Sequence, residues 1–185
     1  VFHVVYAPTT VEVTARPLTV IASDQFKVYG DPGFALDQVA FAVEGELLPG
    51  DVLTVTLSSD GAAVTAPAGT SAILVDAALS GPEAANYALA VEEGTLQVSR
   101  APLAITPDDL TKTEGVTLSF AGTEFTAQGL RNDDAVTRIG LESPGAAAGA
   151  AVAGSPFPIG VIPGSEQGRG LSNYDIAYGT GALAV

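Results

Sequence analysis

The chain has few of the residues from which metal sites and catalytic centres are built. Its 185 residues include no cysteine, methionine or tryptophan and a single histidine, His3. Zinc and transition-metal sites need several Cys or His ligands, so one histidine excludes them. A Ser-His-Asp triad would have to be built around His3, where a side chain on a strand surface is the more ordinary interpretation. Phosphate-binding and metalloprotease motifs are absent as well, so we do not expect an enzyme.

Basic residues are scarce, which restricts the partners. The chain has seven Lys and Arg residues and 21 Asp and Glu residues, which gives a formal net charge of −14. Nucleic acids and anionic membrane surfaces are bound through clustered cations, so neither is expected as a partner. No window approaches the roughly 18 uninterrupted apolar residues of a membrane helix, so we expect no membrane insertion. The first residues lack the basic start of a signal peptide, and we expect any export signal to lie upstream.

Lack of cysteine also excludes a disulfide framework. This fits either the cytoplasm or a bacterial exterior and does not separate the two. The compartment must therefore be argued from other features.

One pattern is written three times in the chain. Residues 86–98 read NYALAVEEGTLQV, residues 173–185 read NYDIAYGTGALAV, and residues 1–13 carry the same alternation with Phe2 in the place of the tyrosine. Repetition at a fixed period indicates a repeat protein. We interpret 86–98 as a closing β-hairpin, and the beginning of the chain as the closing hairpin of a preceding repeat.

The openings of the repeats agree with their endings. Pro17 and Pro102 lie 85 positions apart in similar contexts, and Lys27–Gly30 (KVYG) recurs at the same offset as Lys112–Gly115 (KTEG). The glycine is expected to supply a turn conformation that a side chain would oppose. The predicted division of the chain is a terminal hairpin, a first repeat and a second repeat, at residues 1–14, 15–100 and 101–185.

The fold class follows from short alternating runs separated by turn residues. Val52 to Leu57 is the clearest β-branched run, and turn signals recur every 8–12 residues. The alanine-rich segments near Gly61 and Gly145 are interrupted by glycine and proline, which argues against more than one helical turn. We predict an all-β protein of two tandem Ig-like β-sandwich repeats preceded by the hairpin.

Several of these motifs together resemble a known family. PLTV at Pro17, KVYGDP at Lys27, GDVLTVTLS at Gly50 and NYALAVEEGTLQV at Asn86 resemble the MBG (YDG) repeats of large bacterial surface proteins, including filamentous-haemagglutinin-like adhesins. The second repeat departs from the pattern at Glu114, which replaces the tyrosine of the KVYG element. The resemblance implies stalk or spacer modules on a secreted or cell-surface protein, with no binding residues to transfer.

Calcium is the one ion that this composition could bind, because it needs only oxygen ligands. The densest acid pairs are Asp108–Asp109, Asp133–Asp134 and Glu92–Glu93, and none has the DxDxDG spacing of a calcium loop. Ordinary solvated turns are the favoured interpretation, so no cofactor is expected. A calcium ion that stiffened the junction between repeats would be placed at Asp108 and Asp109.

Two recurring residue types have a structural and a functional interpretation. Tyr87 and Tyr174 could stack on sugars, but their identical place in an alternating strand, with Phe2 at the third site, favours a core or tyrosine-corner role. Asn86 and Asn173 are expected to bond backbone groups in the preceding turn.

The leading functional hypothesis is a structural stalk of an extracellular adhesin, whose partners are neighbouring repeats of the same chain. A short, proline-restricted connection after Val98 would limit bending. An alternative is a filament of identical chains, joined by β-strand addition through residues 1–14. A third possibility is a glycan- or protein-binding module that uses the irregular loop 143–170.

Overall fold

The computed structural model describes residue 2 and residues 10–32, 34–36 and 41–185. Within them the protein is all-β, as predicted. The described part of the first repeat contains seven strands: β1 (Arg16–Ala22), β2 (Gln25–Val28), β3 (Phe41–Glu44), β4 (Val52–Ser58), β5 (Gly69–Ser80), β6 (Tyr87–Glu92) and β7 (Gly94–Ser99). The second contains nine: β8 (Ala101–Pro107), β9 (Leu110–Thr111), β10 (Phe125–Gln128), β11 (Ala135–Arg138), β12 (Leu141–Glu142), β13 (Phe157–Val161), β14 (Gln167–Arg169), β15 (Tyr174–Tyr178) and β16 (Gly181–Ala184).

Both repeats use the same strand order. The first has a three-stranded sheet, β3-β1-β6, and a four-stranded sheet, β2-β7-β5-β4; the second has β10-β8-β15 and β12-β13-β16-β9. The sheets are mixed, since β1–β6, β2–β7, β8–β15 and β9–β16 are parallel pairs. The repetition in the sequence is therefore a repetition of topology, whereas the finer Ig-like assignment stays a prediction.

The repeated closing motif is not a hairpin, and our interpretation of residues 86–98 was wrong. β6 pairs with β1 in the three-stranded sheet, whereas β7 pairs with β2 and β5 in the four-stranded sheet. The opening and closing strands therefore run side by side and cross together from one sheet to the other. Alternation correctly located both strands, but it carries no information on which neighbour a strand will choose.

The crossing depends on close backbone approach. A Cβ on Gly94 would lie 2.9 Å from the carbonyl oxygen of Ala22, so only glycine fits where the opening and closing segments cross. The Thr95 N–H donates to the Asp24 carboxylate at 2.7 Å, which replaces a ladder bond lost at the bend. We call this place the sheet crossing.

The main difference between the repeats lies in the ribbon of β4 and β5. Val52 to Ser58 pair continuously with Ser80 to Leu74, which confirms the predicted strand. In the second repeat the corresponding ladder is split into β11–β14 and β12–β13. The split occurs where an added turn begins: the Ile162 N–H donates to the Gly140 carbonyl, and the Ser165 N–H donates to the Ile162 carbonyl.

The core lies between the two sheets of each repeat and runs on across the repeat boundary. One cluster of buried side chains includes Ile73, Leu96 and Val98 of the first repeat together with Leu103 and Ile105 of the second. The alternation of buried and exposed positions in β8 is complete over its seven residues, as expected for a strand with one face on a core.

The alanine-rich segments form only single 3-10 turns, as predicted, at Asp60–Ala62, Pro144–Ala146 and Val152–Gly154. No helix in the described part of the chain has the length and apolar character needed to cross a bilayer.

The hairpin predicted for residues 1–14 lies largely outside the described residues. Residues 10–14, which are described, form no strand, and the side chains of Val11 and Val13 are exposed. The pairing of this segment stays a prediction.

Candidate interaction site at the repeat junction

A buried tyrosine closes the second repeat at the end that faces the first. Tyr174, at the start of β15, is 3% exposed. Its hydroxyl receives the Arg131 N–H at 2.8 Å and donates to Oδ2 of Asp134 at 2.8 Å. Arg131 and Asp134 belong to the turn between β10 and β11, so the tyrosine ties that turn to the closing strand. We call Arg131, Asp134 and Tyr174 the second corner.

The first repeat has the same arrangement around Tyr87, which begins β6 and is 9% exposed. Its hydroxyl receives the Leu48 N–H at 2.6 Å and donates to Oδ2 of Asp51 at 3.0 Å. Leu48, Asp51 and Tyr87 form the first corner. Both tyrosines are buried and fully bonded, which confirms the tyrosine-corner interpretation over sugar stacking.

The second corner also binds a residue of the first repeat. Tyr29 follows β2, is 4% exposed, and donates its hydroxyl to Oδ2 of Asp134 at 2.8 Å. Its ring meets that of Tyr174 edge to face, with centroids 5.6 Å apart and an interplanar angle of 81°. Edge-to-face pairs add about 0.5–1.5 kcal/mol beyond burial. One carboxylate thus accepts hydroxyls from both repeats.

Two further contacts complete the junction. A Cβ on Gly30, which has φ +71°, would lie 2.5 Å from Cδ of Arg131, so the Tyr29–Gly30 turn fits closely under that side chain. Oδ1 of Asn173 accepts the N–H of Ala68 at 3.0 Å. The expectation for Asn173 was wrong in its partner, since the bonded group belongs to the other repeat.

Asn86, the counterpart of Asn173, behaves differently. Its side-chain amide donates to the Glu83 carboxylate at 2.5 Å, in the preceding turn but to a side chain rather than the backbone. Asn86 is exposed, whereas Asn173 is buried against the first repeat.

The covalent connection is as short as the sequence predicted. Only Arg100 separates β7 from β8, and Ala101, the first residue of β8, is fully buried. The Tyr29 N–H donates to the carbonyl of Ser99 at 2.8 Å, so the turn after β2 is fixed to the last residue of β7. Bending at the junction would break both the backbone ladder and the shared core.

Burial at the junction changes the acidity of Tyr174. Desolvation is the largest cause and raises its pKa to about 12; the bond to Asp134 and the charge of that carboxylate act in the same direction, against the Arg131 amide. The neutral phenol is therefore the form that the folded junction needs.

Sequence reasoning missed the role of the repeated lysine. Nζ of Lys27 donates to the Ala63 carbonyl at 2.5 Å and Nζ of Lys112 to the Ala147 carbonyl at 2.5 Å, so each lysine caps the 3-10 turn of its own repeat. Lys27 is 4% exposed, and desolvation lowers its pKa against the raising effect of Asp31. The recurrence of KxxG at a fixed offset was the available signal.

The acid pairs considered for calcium have other contacts. Asp109 accepts the Ala182 N–H at 2.8 Å, the counterpart of the bond from Thr95 to Asp24 at the first sheet crossing. Asp108 accepts the hydroxyl of Thr126 at 3.3 Å. In the two other pairs, Asp134 belongs to the second corner, whereas Asp133, Glu92 and Glu93 are exposed. No group of three or more potential ligands occurs within the described ranges.

Residues 143–170, predicted as an irregular loop, include the strands β13 and β14. Ser165 and Gln167 line a depression that also contains the half-buried Phe120. A second depression is lined by Pro144, Pro158, Gly160 and Thr180 and by no aromatic side chain. Stacking on a sugar ring needs an exposed aromatic face. The structure brings no such group to this depression.

A comparison with known protein families gives a match within the first repeat. Residues 18–97 match the family model described as MBG domain (YGX type), which confirms the resemblance predicted from the motifs of that segment. The match contains the first corner, the Tyr29–Gly30 turn and the sheet crossing. No curated protein and no solved structure matches the chain.

Proposed function

Because residues 18–97 match the MBG domain of YGX type, a repeat domain of surface proteins, we propose that the chain is a spacer segment of an extracellular bacterial adhesin. Its repeats would hold a distal binding region away from the cell. The function is mechanical, and its working part is the junction rather than a catalytic or ligand-binding pocket.

The junction is the observation that carries the proposal. Tyr29 and Ala68 lie at one end of the first repeat, and Asp134, Asn173 and Tyr174 lie at the facing end of the second. Contacts between opposite ends support an arrangement of the repeats in line, since β1 and β2 run along the first repeat from one end to the other. A stalk needs this arrangement, whereas a binding module does not.

The contacts also oppose bending. A hinge motion would separate the Tyr29 hydroxyl from Asp134 and expose part of the buried cluster that both repeats share. Hydrogen bonds to a charged group contribute about 1.5–3 kcal/mol each, so thermal energy alone seldom breaks the junction. The net charge of −14 keeps neighbouring stalks apart and soluble.

Small-angle scattering of the chain tests the proposal. Strands β1 and β2 span residues 16–28, or roughly 40 Å at about 3.3 Å per residue, so two repeats in line make a rod of roughly 80 Å with a radius of gyration of about 24 Å. A compact protein with this number of residues would have a radius of gyration of about 16 Å. A value near the compact figure, with the repeats side by side, would refute a spacer role.

The two other hypotheses have less support. Assembly by strand addition depends on a hairpin that lies largely outside the described residues, and it stays a prediction. A glycan-binding role for loop 143–170 lacks an aromatic platform in the second depression described above.

A further inference from the structure

The two corners are alike in chemistry, but only one of them has a visible partner. Each consists of a tyrosine hydroxyl held between a backbone N–H and an aspartate, with Leu48, Asp51 and Tyr87 in the first and Arg131, Asp134 and Tyr174 in the second. The second corner binds the Tyr29 hydroxyl. In the described part of the chain, no second tyrosine reaches Asp51.

The occupied corner shows what such a corner recognises. Asp134 accepts a tyrosine hydroxyl, and the side chain of Arg131 covers a glycine that has no side chain of its own. The neighbouring Asn173 accepts a backbone N–H from a loop. Tyr29, Gly30 and Ala68 supply these three groups.

The first corner has a counterpart of each of the three features. Oδ2 of Asp51 is bonded by Tyr87 from one side, as Oδ2 of Asp134 is by Tyr174. Leu48, which is half-buried, is the counterpart of Arg131, the residue that covers Gly30 in the second corner. Asn86, which is exposed, is the counterpart of Asn173, the residue that accepts the loop amide at the second corner.

We propose that the first corner is a docking site for the Tyr-Gly turn of another repeat of this kind. The occupant is defined by chemistry: a tyrosine followed by a glycine with positive φ at the end of β2, together with the loop amide that corresponds to Ala68. The proposal rests on the spacer function, because it identifies the partner that extends the stalk on this side.

Glu114 gives the docking a direction and a specificity. It occupies the Tyr29 position in a turn of the same backbone geometry: Gly30 and Gly115 both have positive φ, and the Val116 N–H bonds to the Thr113 carbonyl as the Asp31 N–H bonds to Val28. A docked Glu114 would set its carboxylate against the aspartate of the next corner. Like charges in contact repel, so a second copy of this chain does not dock through its second repeat.

An elongated chain tests the docking directly. A copy of residues 16–98 replaces residues 1–13, so the added Tyr29 faces the first corner through a connection of the native length. The matched control carries Tyr29→Glu in the added copy alone. We expect hydrogen exchange of the Leu48 amide to be at least about tenfold slower in the tyrosine chain, as one charge-assisted hydrogen bond implies.

The Arg131 amide serves as the internal reference, because it belongs to the second corner, which binds Tyr29 in the same molecule. Equal Leu48 exchange in the tyrosine and glutamate chains would overturn the docking. Scattering from the native chain is independent of this result: a radius of gyration near 24 Å with equal exchange refutes the docking alone, and a compact native particle refutes the spacer role alone.

A second measurement decides the case in which the added copy does not fold. Glu114→Tyr in the native chain should give head-to-tail association that rises with concentration in analytical ultracentrifugation. Glu114→Gln, which removes the charge without adding a ring, should associate less. Association of neither variant at millimolar concentration would overturn the proposal.

Discussion

Asp134 accepts hydroxyls from Tyr29 and Tyr174, one from each side of the repeat boundary. A carboxylate has room for several donors, and both bonds are shielded from water because the two phenols are buried. The boundary is thus held by a group that neither repeat could satisfy in the same way alone. The boundary is sensitive to alkaline pH through the phenol of Tyr174.

Alkaline conditions should weaken the junction through Tyr174. Its pKa of about 12 in the fold, against 10.0 for the free phenol, means that the unfolded chain loses its proton first. The stabilisation is complete below pH 10 and is lost as pH rises towards 12, by up to about 2–3 kcal/mol. Denaturant unfolding at pH 9 and near pH 12 measures this loss.

Tyr174→Phe removes the titrating group and should make the alkaline loss smaller by that amount. Tyr178, whose pKa is also raised by desolvation and by Glu166, and Lys27, whose pKa is lowered by desolvation, remain in both proteins and contribute to the residual pH dependence. An identical pH profile for Tyr174→Phe and the native chain would contradict the role of this phenol.

At the scale of the element, the sheet crossing explains why the opening and closing motifs recur together. β8 and β15 are parallel in one sheet, and β9 and β16 are parallel in the other. The opening and closing segments of a repeat must change sheets at the same level, so each repeat needs a glycine and an aspartate at that place. The motif is therefore a paired crossing, a non-local feature that no local pattern reveals.

Gly181→Ala should disrupt the crossing in the second repeat. The added Cβ would lie 2.7 Å from the carbonyl oxygen of Pro107 and 2.9 Å from that of Asp108, and backbone cannot move away as a side chain can. We expect the free energy of unfolding to fall by about 1–3 kcal/mol in chemical denaturation.

Gly160→Ala is the matched control, since Gly160 lies on β13, next to the strand of Gly181, and an added Cβ meets nothing within 4 Å. It should leave stability unchanged or raise it slightly, by up to about 1 kcal/mol. Equal losses in the two variants would show that the crossing imposes no steric requirement.

The elements themselves were largely predictable. Val52–Leu57 lies within β4, and Gly30, the glycine of the KVYG element, has positive φ in the turn after β2. In the second repeat, the corresponding ladder is interrupted at Ile139 and Gly140 by the turn after Val161, a distant segment. A local pattern cannot report an insertion in the partner strand.

At the scale of the whole molecule, the junction makes stability a shared property of the two repeats. Their buried side chains form one cluster, and a single residue, Arg100, connects their strands. Repeat proteins with strong interfaces unfold with coupling between neighbours. Loss of one contact at the boundary should therefore be felt on both sides of it.

Tyr29→Phe keeps the ring but removes the hydroxyl from Asp134, and should lower the free energy of unfolding by about 1.5–3 kcal/mol. Slowly exchanging amides in both repeats, such as those of Ile73 and Ile105, should exchange faster. Native-state hydrogen exchange measures both effects.

The control is Tyr178→Phe, which removes a comparable bond, to Glu166 at 3.0 Å, inside the second repeat. It should speed exchange at Ile105 more than at Ile73, because the lost bond lies within the second repeat. If Tyr29→Phe affected only one repeat, the repeats would be independent and the connection between them would be flexible.

The sequence by itself determined the strands, the turns, the repetition and the all-β class, because these depend on alternation, β-branched residues and glycine at fixed places. Only the tertiary structure decided that the closing motif spans two sheets, that Lys27 caps a turn, and that Tyr29 and Asn173 join the repeats. These features depend on contacts between residues about 35 to 105 positions apart, which side-chain periodicity along one strand cannot encode.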